Sequence, residues 1–173
     1  MNNILYIHGL GGTKDGRVAS ILRDTLGEDF NIDAPEIPID PKEAVSFIRN
    51  ITFGSSYDMI VASSLGAFYS MFAPSHIKKI MINPAIYADE YVDKYIGKGT
   101  YYFNGDRENG ESTYKIDEDF INSLRELRHN VYLDDETLIQ IKCYVSDEDE
   151  LLIDNWKNCD NFFFNGTVTH IKG

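Results

Sequence analysis

Ser64 lies in Asp58-Met-Ile-Val-Ala-Ser-Ser64-Leu-Gly66, an apolar run that ends in a serine followed two places later by glycine. A strand that turns abruptly into a helix holds such a serine in a strained backbone conformation, so the residues two before and two after must be small for the chains to pass. Ala62 and Gly66 meet that demand. The same turn leaves the Leu65 amide at the start of the following helix, aimed where an oxyanion would form. Ser64 is therefore the candidate nucleophile, against the plainer reading of the motif as a strand-to-helix turn with a capping serine. A second apolar run, Ile4-Leu-Tyr-Ile-His8-Gly9-Leu10-Gly11-Gly12, ends in a glycine-rich loop. Glycines there let the backbone approach a ligand closely, and the Leu10 amide is a second candidate oxyanion donor.

A serine hydroxyl is a poor nucleophile at neutral pH and needs a base, for which histidine, with an unperturbed pKa of about 6.5, is suited. Of the four histidines, His76 and His129 have the surroundings of surface positions, and His8 precedes the glycine loop. His170, in Phe162-Phe-Phe-Asn-Gly166-Thr-Val-Thr-His170, follows the last expected strand on a loop long enough to fold back over the sheet edge. Between Ser64 and His170 comes Ser146-Asp147-Glu148-Asp149-Glu150, a run of carboxylates after a late strand. Serine, acid, histidine is the chain order of one large class of hydrolases. The plainer reading of the carboxylates is an acidic start to the next helix, favoured by its dipole.

These segments resemble the α/β-hydrolase superfamily, and within it the small cap-less esterases of the YqiA/YcfP-like family. The matching residues are Tyr6-Ile-His8-Gly9 with its glycine-rich continuation, Ala62-Ser-Ser64-Leu-Gly66, Ile82-Asn83-Pro84-Ala85, the acidic turn at 146 to 151, and His170. Together they cover most of the chain, and Ala62 stands where the family has glycine. The resemblance implies that His8 braces the oxyanion loop and that His8, Gly9, Gly11, Asn83 and Pro84 line the site. It also implies an acid a few residues beyond the strand and before an apolar pair, which favours Asp149 ahead of Leu151-Leu152, with Asp147 as the alternative. The acid would accept the His170 Nδ1 proton and hold the productive tautomer without being protonated itself.

The chain of 173 residues is 43% hydrophobic and 13% aromatic, enough for one substantial core, and is expected to form a single domain without a separate lid. Its formal charge of −12 argues against nucleic acid or anionic lipid as partners. No stretch approaches the roughly 20 apolar residues of a membrane span, and Met-Asn-Asn ahead of a strand is no secretory signal, so a cytoplasmic location is expected. Cys143 and Cys159 are too few for a disulfide framework and read as reduced structural thiols. No Cys/His spacing suggests a metal, and the chemistry needs no cofactor.

Apolar runs alternating with helical patterns predict a three-layer α/β/α fold with a mostly parallel six-stranded sheet in the order 2-1-3-4-5-6, a minimal α/β-hydrolase fold. Strands are expected at 3 to 8, 30 to 34, 57 to 63, 78 to 83, 138 to 145 and 161 to 165. Helices are expected at 17 to 26, from Pro41 behind a capping Asp40, and at 65 to 72. The segment from about 86 to 137 reads as an irregular aromatic and acidic insert with helices at 87 to 97 and 117 to 128. It would pass over the mouth of the site, its tyrosines either forming a substrate pocket or packing the insert onto the domain. The expected reaction is transfer of a small acyl group from an ester or thioester to water through an acyl-enzyme. Two other readings stand beside it: a catalytically degenerate fold that binds a small ligand, and a triad acting on amides or peptides.

Overall fold

The computed structural model describes residues 2–146, 155–163 and 168–172. Asp147 and Asp149 lie outside the described residues. The chain runs β1 (Asn2–Ile7), α1 (Arg17–Leu26), β2 (Phe30–Asp33), α2 (Pro41–Thr52), β3 (Tyr57–Ser63), α3 (Leu65–Ser70) and β4 (Lys78–Ile82). It continues through α4 (Ala88–Tyr91), a π-helical turn (Val92–Ile96), β5 (Gly99–Tyr102), β6 (Thr113–Ile116), α5 (Glu118–His129), α6 (Asp135–Ile139), β7 (Ile141–Ser146), α7 (Asn155–Phe162) and β8 (Val168–Ile171). Six parallel strands form one sheet in the order β2-β1-β3-β4-β7-β8. With the short β5–β6 hairpin set aside, this is the expected order.

Period-two burial explains the layers. Leu5, Ile7, Ile60, Ala62, Met81, Cys143 and Val145 point to one face, where Ala44, Val45 and Ile48 of α2, Phe68 of α3, Ile121 and Leu124 of α5 and Cys159 of α7 cover them. Ile4, Tyr6 and Val61 point to the other face, against Ala19 of α1. Helix α2 starts where the sequence predicts: Pro41 occupies the first turn, and Asp40 accepts from the amides of Lys42 and Glu43, both at 2.9 Å.

Two strand assignments need correction. Residues 138–140 are not strand, because Asp134 caps α6 by accepting from the Thr137 amide at 2.8 Å, and β7 begins only at Ile141. Residues 161–163 are not strand either. The run of phenylalanines suggested one, but Cys159 and Phe163 stand four apart and are both buried, and the Phe163 amide bonds the Cys159 carbonyl at 2.8 Å. The last strand is β8, so His170 lies within it, paired with Val145, rather than on a loop beyond.

The segment 86–137 is more regular than expected. Its first helix passes into a π turn, closed by a 2.7 Å bond from the Gly97 amide to the Val92 carbonyl, and Gly97 takes φ +82° to reverse the chain. A buried pair joins α4 to α5: Arg128 Nη2 donates to Asp89 Oδ2 at 3.0 Å, and Nε lies 2.9 Å from Oδ1. Among the described residues no helix is long and apolar enough to cross a membrane.

Lys79 on β4 is almost fully buried, its ammonium donating to the carbonyls of Pro74 at 2.8 Å and Ile77 at 2.9 Å. Burial pulls its pKa from 10.5 down to about 8. Between those values the unfolded chain binds a proton that the folded chain does not, so stability rises with pH across that interval. We expect the wild type to gain about 3 kcal/mol relative to Lys79→Met from pH 8 to pH 10.5, measured by urea unfolding at each pH.

Candidate active site

The turn between β3 and α3 puts Ser64 at φ 52°, ψ −123°, a left-handed conformation that a residue with a Cβ adopts only under constraint. The constraints are visible. The Ser64 amide donates to the Ile82 carbonyl at 2.9 Å, and its carbonyl accepts from Ala67 and Ala85, both at 3.1 Å. The position two residues on must be glycine, because a Cβ on Gly66 would stand 2.3 Å from the His8 carbonyl oxygen and 2.5 Å from that of Ile7. Two residues before, a methyl is tolerated: Ala62 is still in β3 and points into the core, which accounts for alanine there.

The glycine loop after β1 lies directly on this turn. A Cβ on Gly9 would stand 3.0 Å from the Ser64 Cβ. Gly11 has φ +69°, and a Cβ there would meet the Tyr114 hydroxyl at 2.9 Å. The insert clamps the loop from above, with the Asn104 amide donating to the Gly11 carbonyl at 2.8 Å and Lys14 paired with Glu108. Behind the loop, Arg107 lies 3.5 Å from Glu36, 3.3 Å from the Ile37 carbonyl and 4.6 Å over the Phe103 ring.

His8 does not face Ser64's cavity. It lines a small space behind the loop with Ile37, Pro38, Ile39 and Tyr69. Its Nε2 accepts from the Ile37 amide at 3.2 Å and its Nδ1 lies 2.9 Å from the Gly9 carbonyl, an arrangement that requires the neutral ring protonated at Nδ1. Burial, the largest influence, holds its pKa below the usual 6.5. Below pH 6.5 the unfolded chain therefore takes up a proton the folded one refuses, so stability present above that pH is lost as the solution is acidified. We expect this single group to contribute a slope of up to about 1.4 kcal/mol per pH unit, absent in His8→Asn, when unfolding is followed from neutral to mildly acid pH.

Ser64 opens into a cavity of about 420 Å³, shared with Gly9, Leu10 and Leu65 on the sheet side. Its far wall comes from the insert: Tyr91, Val92 and Ile96, then Tyr101, Asn104 and Tyr114. Both candidate oxyanion residues thus border the cavity. Leu65 is the first residue of α3, where an amide has no acceptor within the helix. Asn83 and Pro84 do not line it. Asn83, at φ +44°, ties strand ends together, donating from its amide to the Tyr144 carbonyl at 2.8 Å and accepting from the Ser146 amide at 2.7 Å. The Pro84 carbonyl lies 3.9 Å from the Cys159 sulfur. Cys143 and Cys159 are both buried and unbridged, and the contact with Cys143 together with burial pushes the Cys159 thiol up.

His170 is not among the residues bordering the cavity. It stands on β8, three strand spacings or about 14 Å from β3 across the sheet, with Nε2 3.1 Å from Asp160 Oδ1 of α7. Sequence reasoning missed Asp160, since a contact between the end of α7 and β8 leaves no local pattern. It also missed Asn104, which reaches the cavity only because the hairpin folds back over Gly11. Among the described residues no group of three or more His, Cys, Asp or Glu side chains is placed to hold a metal ion.

A parallel sheet in this order, with a left-handed serine at the tip of its third strand, defines an α/β-hydrolase fold. Solved structures agree on the architecture. The ydeN gene product of B. subtilis superposes with a TM-score of 0.63 at 11% identity, covering 100% of this chain and 86% of that one. Est1E of Butyrivibrio proteoclasticus, solved with ferulic acid bound, gives 0.63 at 14% identity, covering 100% and 80%. A monoacylglycerol lipase of Paleococcus ferrophilus gives 0.58 at 12%, covering 99% and 84%. At such identities the likeness is one of fold. Residues 3–162 match the family described as "Uncharacterised protein family (UPF0227)", and the chain belongs to it.

Proposed function

We propose that this protein is a serine hydrolase that cleaves carboxylic ester or thioester bonds of a small acyl substrate. Ser64 Oγ attacks the carbonyl carbon while the Leu10 and Leu65 amides hold the oxyanion. His170 takes the serine proton, passes it to the leaving group, and then activates water to release the acid. Asp149, or Asp147 in its place, orients His170. The observation that carries the proposal is the backbone of Ser64 itself, held at φ 52° by flanking contacts and opening into the cavity. A capping serine has no need of that strain, and its side chain makes no capping bond to α3. Turnover requires the end of β8 to release His170 from Asp160 toward Ser64, a movement suited to a short, exposed edge strand.

A second reading is favoured by that same Asp160 contact: a fold that binds a small ligand without turning it over. A fluorophosphonate probe separates the two. We expect it to label the wild type and not Ser64→Ala, with His170→Ala labelled on the order of 10² times more slowly. An unlabelled but folded wild type would remove the hydrolase reading and leave the binding role.

A further inference from the structure

We infer that Ser64 acts on compact, uncharged esters whose acyl group carries an aromatic ring, seated against the tyrosines of the insert. The inference rests on the serine-hydrolase reading above and goes on to its substrate class. Tyr101 and Tyr114 are stacked, with centroids 5.8 Å apart and planes at 29°, and Phe103 backs Tyr114 at 5.0 Å. The Tyr101 hydroxyl is held by the carbonyls of Ile96 at 2.7 Å and Gly97 at 2.9 Å, which fixes its ring before any ligand arrives. Tyr91 supplies a third ring to the same cavity. Ring walls favour an aromatic guest over a saturated one of the same size, through offset or edge-to-face contacts. A volume of about 420 Å³ lies toward the small end of ligand pockets, which limits the guest to a compact one.

Charge excludes the other obvious class. Among the described residues bordering the cavity none is Lys or Arg. Four cations of the surrounding segments are paired with carboxylates, Lys14 with Glu108, Arg107 with Glu36, Lys98 with Glu118 and Lys115 with Asp117, and Lys94 lies 4.9 Å over the Tyr95 ring. A leaving group bearing several phosphates, as in a coenzyme A thioester, would find no partner there, and the chain carries a formal charge of −12. The step itself is an acyl exchange. Ser64 Oγ bonds to the acyl carbon, the ester C–O bond breaks, and the alcohol leaves with the serine proton. The oxygen of water then bonds to the acyl carbon, the bond from that carbon to Ser64 Oγ breaks, and the acid leaves while a proton from the water restores the serine hydroxyl.

The test measures kcat/KM of the full chain on matched pairs. Para-nitrophenyl phenylacetate is expected to exceed para-nitrophenyl cyclohexylacetate by about three- to tenfold. Tyr114→Leu should erase that ratio and Tyr114→Phe should keep it. Phenylacetyl-N-acetylcysteamine, which lacks the phosphates, should exceed phenylacetyl-coenzyme A by about tenfold or more. Equal rates on the phenyl and cyclohexyl esters, or a faster coenzyme A thioester, would overturn the inference. Fluorophosphonate labelling is run alongside: a labelled Ser64 with either of those results sinks the substrate class alone, while an unlabelled Ser64 sinks the hydrolase reading and this inference with it.

Discussion

Ser64→Ala is expected to lower kcat on an activated ester by about 10⁴-fold or more while leaving the fold intact. The loss is large because, among the described residues bordering the cavity, the other polar side chains are the amide of Asn104 and the hydroxyls of Tyr91, Tyr101 and Tyr114, and a phenol with no general base beside it is acylated far more slowly than an activated serine. Residual rate would come from the proposed oxyanion donors and from binding alone. The fold should tolerate the change because alanine meets the same left-handed backbone cost as serine, and the Ser64 hydroxyl makes no capping bond to α3. Far-UV circular dichroism and a urea melt beside the rate measurement separate lost chemistry from lost structure.

The second large effect concerns Gly66→Ala. Added at this position, a methyl would approach two backbone carbonyl oxygens, 2.3 Å from that of His8 and 2.5 Å from that of Ile7. Backbone cannot rotate out of the way as a long side chain can, so either β1 shifts at its end or α3 lifts from the sheet. We expect a cost of about 3 kcal/mol in urea unfolding, at the upper end of overpacking changes. Activity should fall further than stability. The residues displaced are His8 and the loop that follows it, which carries Leu10, the proposed oxyanion donor that borders the same cavity as Ser64. A shift of about 1 Å in such a donor is enough to cost on the order of 10² in rate. An alanine variant with wild-type stability and rate would mean that β1 and α3 do not approach as described.

How much of this was legible in the chain follows from which forces are local. The β-strands with strong apolar runs, β1 and β3 among them, were readable because both faces of a parallel sheet are covered and demand it. The serine turn was readable because its steric demand falls on Gly66, two residues away in sequence. Strands β5 and β6 were not, being four residues each, half exposed, and set among Asp, Asn and Gly. Their stability comes from stacking Tyr101 on Tyr114 and from the grip of Asn104 on Gly11, and neither is local. The displaced last strand has the same origin. Aromatic residues suit a strand as well as one face of a helix, and burial of Cys159 with Phe163 decided for the helix. That shift carried His170 from an expected loop into β8, where Asp160 meets it. Of the tyrosines of the insert, Tyr101 and Tyr114 stack within the hairpin and also border the cavity beside Ser64.

The central claim is that the Ser64 hydroxyl becomes covalently acylated during turnover. Quenching the protein in acid while it hydrolyses para-nitrophenyl acetate, then digesting it and reading peptide masses, tests this directly. We expect an acetyl group on the peptide containing Ser64, on Ser64 itself by fragmentation, and none on the Ser64→Ala protein. Acetyl on a different residue, or none on a protein that is folded and turning over the ester, would contradict it.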